Sequence, residues 1–96
     1  MPSQDRRSAA ETVALQTLAW LAETDDMLAV FLRSSGLDAA DLGGLLNDPE
    51  FLAAVLDFVL MDEKWVLAAS AAAGLAPLAL LEARRDLPGG ELPEWT

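Results

Sequence analysis

Few side chains in this 96-residue sequence could do chemistry, and Asp57 stands out among them. It lies between Leu56 and Phe58, in a stretch that is otherwise almost wholly apolar. If a helix buries it, its charge needs a partner, because an unpaired buried carboxylate is very costly. Arg33 is one candidate partner, and free N–H groups at the start of another helix are a second. Asp57 also fits a solvent stripe, with Ala54 and Met61 beside it at helical spacing. Two acidic pairs, Asp25-Asp26 and Asp62-Glu63, have the oxygen ligands that hard cations prefer. No EF-hand loop, Asp-x-Asp spacing or Glu-x-x-His motif accompanies them. Each pair falls at an expected helix start, where negative charge offsets the helix dipole. No metal site and no cofactor is therefore expected.

Nucleophilic catalysis is equally hard to assemble. Ser8, Ser34, Ser35 and Ser70 have no His to activate them, since the chain contains neither His nor Cys. Those two absences also exclude disulfides, thiol chemistry, ordinary zinc sites and imidazole acid–base catalysis. Gly43-Gly44 and Gly89-Gly90 lack the Gly-x-x-x-x-Gly-Lys pattern that cradles phosphates. The expectation is a protein that is not an enzyme. Recognition then falls to Trp20, Trp65 and Trp95, because Trp is enriched among residues that anchor protein interfaces. For Trp20 and Trp65 the competing reading is core packing, given how much area the indole buries. Trp95, in Leu92-Pro93-Glu94-Trp95, follows the last expected helix and could fold back as a lid or dock into a partner or second subunit.

Sixteen acidic against six basic residues give a formal charge of −10. Nucleic-acid binding needs clustered bases, and only Arg6-Arg7 and Arg84-Arg85 are adjacent. Anionic membranes are disfavoured by the same imbalance. The acidity fits solubility, or attraction to a basic protein partner. Residues Trp65 to Leu81 are uncharged, yet Gly74 and Pro77 break them in the middle, so a buried helical hairpin is expected in place of a membrane span. Arg6-Arg7 and the following Ala/Leu run imitate a signal peptide, but Glu11, Gln16 and Thr17 interrupt the apolar core. A cytoplasmic location is expected.

The elements that must position these residues are helices. The chain is 53% hydrophobic, dominated by Ala and Leu, with few β-branched residues. Ser8 and Glu11 form a capping-box pattern, which predicts a first helix beginning there and a disordered segment over residues 1–7. Val13, Ala14, Leu18 and Leu21 give it an inward face. Thr24 is the expected cap of a second helix, which places Met27, Leu28, Phe31 and Leu32 inward. A weak third helix follows Asp38, with Leu42, Leu45 and Leu46 inward. Asp48-Pro49-Glu50 is a strong start signal for a fourth, apolar on more than one face and hence central. Asp62 opens the fifth, which runs to Gly74. A sixth runs from Pro77 to about Leu87, with Leu78, Leu81 and in part Leu80 inward and Glu82, Arg84, Arg85 and Asp86 outward.

Gly36-Leu37 and Gly74-Leu75 are matching helix stops 38 residues apart, each suited to a left-handed residue followed by a Leu that packs back. The same offset lays Leu18 on Leu56, Trp20 on Phe58 and Leu21 on Val59. It suggests two pseudo-repeated helical units, although such stops are common enough to coincide. The expected fold is all-α: a compact bundle of five to six short helices forming one domain over residues 8–90, with a tail over 91–96.

Ala53-Val55-Leu56-Asp57, preceded by Asp48-Pro49-Glu50-Phe51-Leu52 and followed by Asp62-Glu63, resembles a family of small, mainly alphaproteobacterial proteins, domain-of-unknown-function family number 3572. Phe31-Leu32 with Gly36-Leu37, Gly74-Leu75 and Leu87-Pro88-Gly89-Gly90 fit the same pattern, so the resemblance runs from about Glu11 to Gly90. It implies a short, stand-alone, all-helical bacterial protein and assigns no activity. The leading functional expectation is an adaptor or regulator that binds another protein, or self-associates, through an acidic face lined by Leu and Trp. The alternative is a helical module for a small molecule or lipid, with room left by the Ala-rich fifth helix.

Overall fold

In the computed structural model, which describes residues 2–89, six α-helices pack into one bundle with no strand among the described residues. They are α1 (Pro2–Glu23), α2 (Met27–Ser34), α3 (Leu42–Leu45), α4 (Pro49–Leu60), α5 (Glu63–Ala73) and α6 (Leu78–Arg85), with a 3₁₀ turn over Ala39–Asp41. The fold is all-α, as its composition implies.

The first helix corrects an expectation. It begins at Pro2, so residues 2–7 are helical and Ser8 lies inside the helix. Glu11 turns toward Arg7 (3.9 Å), and the Ser8 carbonyl accepts from the Thr12 hydroxyl (3.1 Å), an interior i to i+4 contact. Proline suits a helix's first turn, Asp5 adds an acid there, and nothing between Pro2 and Ser8 stops helix growth. The corner after α1 differs as well. The Thr24 hydroxyl donates to the Trp20 carbonyl (2.6 Å) and so does not cap α2. The turn is closed by the Met27 N–H on the Thr24 carbonyl (2.9 Å), with Asp25 at φ 42°, a conformation that Asp tolerates better than most residues.

The other boundaries follow local chemistry. Asp48 accepts from the Glu50 N–H (3.0 Å) ahead of Pro49, and Asp62 accepts from the Lys64 N–H (2.8 Å), so both cap their helices. Gly36 and Gly74 take left-handed φ values of 72° and 71°. Leu37 N–H reaches back to the Leu32 carbonyl and Leu75 N–H to that of Ser70, each at 2.8 Å. The two glycines also donate to Arg33 and Ala71, which completes the same double-bonded stop at both places.

The core gathers around α4, whose Phe51, Leu52, Ala53, Val55, Leu56 and Val59 are buried on more than one face. Each large apolar side chain so buried contributes about 1.5–3 kcal/mol. α1 lays Ala10, Ala14, Leu18 and Leu21 against it, and touches α6, α4 and α5 extensively. An aromatic series crosses the bundle, Phe51 to Phe31 (5.8 Å between centroids), Phe31 to Phe58 (5.3 Å) and Phe58 to Trp65 (5.2 Å). Burial repeats with the 38-residue offset. Leu18 and Leu56, Leu21 and Val59, and Leu32 and Ser70 are buried at matching places. The halves differ in length: α1 has 22 residues and α4 12, while α3 has four and α6 eight.

Candidate functional site

Asp57 lies on the solvent side of α4, with its side chain 57% exposed. It does not pair with Arg33. Its partner is Arg84 of α6, whose Nε donates to Asp57 Oδ1 at 2.6 Å. Arg84 is 16% exposed and also donates from Nη1 to the Pro88 carbonyl (2.9 Å), so one guanidinium ties α4, α6 and the turn beyond α6 together. The expected buried pair is corrected on both counts. α4 turns its apolar faces into the bundle and leaves Asp57 and Met61 on the outer stripe, while Arg33 is exposed beside Leu37 and Asp38. The arrangement is a structural fastening.

The tryptophans do not converge into one site. Trp65 is partly buried and stacks on Phe58 with 25° between the rings. Trp20 is partly buried near the end of α1, where it borders a shallow cleft with Ala72 and Ala73 of α5. Both indoles pack against the core. Trp95 and the 91–96 tail lie outside the described residues.

The phase of α6 is the feature that sequence patterning missed. Leu80, Ala83 and Leu87 are buried, whereas Leu78 and Leu81, expected inward, are 57% and 39% exposed. Positions 78, 81, 82 and 85 form one helical stripe and positions 80, 83, 84 and 87 another. Placing the second stripe inward lets Arg84 reach Asp57, while Glu82, Arg85 and Asp86 remain in water. The outward stripe therefore carries two leucines. On α5 the residues Lys64, Leu67, Ala68, Ala71 and Ala72 are likewise exposed at helical spacing, Leu67 at 50%. Between Leu67 and Leu81 the exposed residues carry no charge, with buried Ala69, Ser70 and Leu80 among them. The sequence signal for this surface is the uncharged Trp65–Leu81 stretch, which fits a buried hairpin equally well.

No single helix among the described residues is long and apolar enough to cross a membrane; α5 and α6 together reach that length but bend by 94°. No three acidic side chains among the described residues converge as a metal site would require. The clefts are small. One between α1 and α6, lined by Ala9, Ala10, Val13, Ala79 and Ala83, encloses about 220 Å³, with Arg6, Glu82 and Asp86 at its edge. No curated protein and no solved structure matches the chain. The family model for proteins of unknown function DUF3572 matches residues 7–90, and the chain belongs to that family.

Proposed function

We propose that this protein works by docking onto another protein chain, as an adaptor or regulator without catalytic activity of its own. The observation that carries this reading is the uncharged, solvent-facing run over α5 and α6, with Leu67 and Leu78 half or more exposed in a chain of formal charge −10. Exposed apolar side chains that gather into a patch on a domain surface are a common basis for protein docking. The matched positions of the first half supply an internal control. The stripe of α2 equivalent to that of α5 is also exposed; it carries Ala29 and Val30 where α5 carries Leu67 and Ala68, but Arg33 and Ser34 where α5 carries Ala71 and Ala72. At positions 71 and 72, therefore, the fold does not require an apolar residue.

The alternative of a small-molecule or lipid module has less support. The apolar crevice between α1 and α6, at about 220 Å³, falls below the roughly 300–1,000 Å³ of typical ligand pockets, and a wider cleft of about 330 Å³ is lined by the charged side chains Arg6, Glu82, Arg85 and Asp86. Replacing Leu67 and Leu78 together by Lys tests the docking reading. The variant should keep its helical circular dichroism while the protein, in gently prepared lysate, shifts from a larger complex to the mass of one chain. Wild-type protein that already runs as one chain under those conditions would refute it.

A further inference from the structure

We infer that the crevice between α1 and α6 seats the chain's own C-terminal segment, residues 91–96, with the Trp95 indole on its floor. This inference does not depend on the docking role proposed for α5 and α6. The floor consists of short apolar side chains, Ala9, Ala10, Val13, Ala79 and Ala83, around a space of about 220 Å³. Such a space is too small for a typical ligand pocket, and an indole is the largest apolar group the chain has to place there. Asp86 borders the crevice, and from it the chain runs through buried Leu87 to Pro88, whose carbonyl accepts from Arg84 Nη1. The segment therefore departs from a fixed point beside the crevice. The six residues from 90 to 95 reach up to about 20 Å when extended, whereas Ala79 and Asp86 lie about 10 Å apart along α6. Pro93 favours an extended or polyproline conformation at Leu92, and polyproline repeats every three residues. That period sets Leu92 and Trp95 on one edge and Glu91 and Glu94 on the next. The rim offers a match for the acidic edge. Arg6 borders the crevice and Arg85 the charged cleft beside it, and neither is in an ion pair among the described residues, although Glu82 and Asp86 border both clefts. A free ligand must find so shallow a site unaided. The segment is tethered next to it, at an effective concentration of about millimolar, so a modest contact suffices.

Nuclear Overhauser contacts of the Trp95 ring protons in the whole chain read the seat directly. The expected result is contacts from that ring to the methyl groups of Ala9, Val13 and Ala79, with those methyls shifted upfield by the indole. Trp95→Ala should return the three methyl shifts to ordinary values. It removes nothing from the six helices, so its result stands on its own. Ala9→Glu sets a carboxylate on the floor against the segment's own acids, at an exposed position of α1. It should abolish the Trp95 contacts and give the ring the shifts of the free peptide Glu-Leu-Pro-Glu-Trp-Thr, while the helical circular dichroism persists. Ala19→Glu, at an exposed place bordering the Trp20 cleft on the same helix, should leave the contacts unchanged. A Trp95 ring that contacts only its sequence neighbours, or a different part of the bundle, overturns the inference. Methyl shifts that do not move on Trp95→Ala overturn it as well.

Discussion

Removing the Arg84 guanidinium should unfasten the C-terminal turn while leaving the core intact. Arg84→Met keeps most of the side-chain stem and deletes two hydrogen bonds, one to Asp57 at 2.6 Å and one to the Pro88 carbonyl at 2.9 Å. Asp57 is 57% exposed, so water screens the ion pair and its share is about 0.5–1 kcal/mol. The bond to Pro88 is partly buried and contributes about 1 kcal/mol. The expected loss is therefore about 1.5–2 kcal/mol, which for a domain of this size lowers the melting temperature by about 6–16 °C. Asp57→Asn keeps an acceptor and removes only the charge, so its cost should stay below about 1 kcal/mol. Urea and thermal unfolding followed by circular dichroism, run on both variants and on the double variant, give the coupling between them. If Asp57→Asn costs more than Arg84→Met, or if Arg84→Met melts within about 2 °C of wild type, the fastening role is wrong.

Other expectations can be checked by the same unfolding measurements. Gly74→Ala should destabilise by about 1–2 kcal/mol, because the left-handed backbone alone opposes a Cβ there and no neighbour comes within 4 Å. Gly44→Ala, in α3 with open space around it, should instead stabilise by up to about 1 kcal/mol. Leu56→Ala, at a fully buried position of α4, should cost about 2–5 kcal/mol. Leu67→Lys should leave monomer stability within about 0.5 kcal/mol of wild type, as its side chain is half exposed; a larger loss would mean that Leu67 belongs to the core.

What could be read from the sequence was whatever chemistry settles within a few residues. Asp48-Pro49 starts α4, Asp62 caps α5, and both Gly-Leu corners close as double-bonded stops, because each decision involves neighbours along the chain. The start of α1 was misread because Ser8 and Glu11 satisfy a capping pattern equally well inside a longer helix, where Glu11 finds Arg7. The partner of Asp57 was out of reach for a different reason. Arg84 is 27 residues away, and only the packing of α6 on α4 decides that it, and not Arg33, arrives. The same packing selects one of two plausible stripes on α6. The candidate docking face thus became visible only with three-dimensional structure, although its lack of charge was plain beforehand.

The long first helix has a consequence for the order in which the molecule becomes whole. α1 leaves the ribosome before the other five helices, yet α6, one of the two helices it touches most, leaves after them. Until residues 78–85 exist, Ala10 lacks the α6 neighbours, Ala79 and Ala83, that face it across the crevice. Although burial repeats between the halves, they cannot fold one after the other like beads, because the first half is closed by the end of the second. The entropy of joining the two ends must be met before their contact gives anything back. Slow-exchanging amides of α1 and α6 should therefore lose protection in a single opening event, as if they belonged to one element interrupted by the rest of the chain.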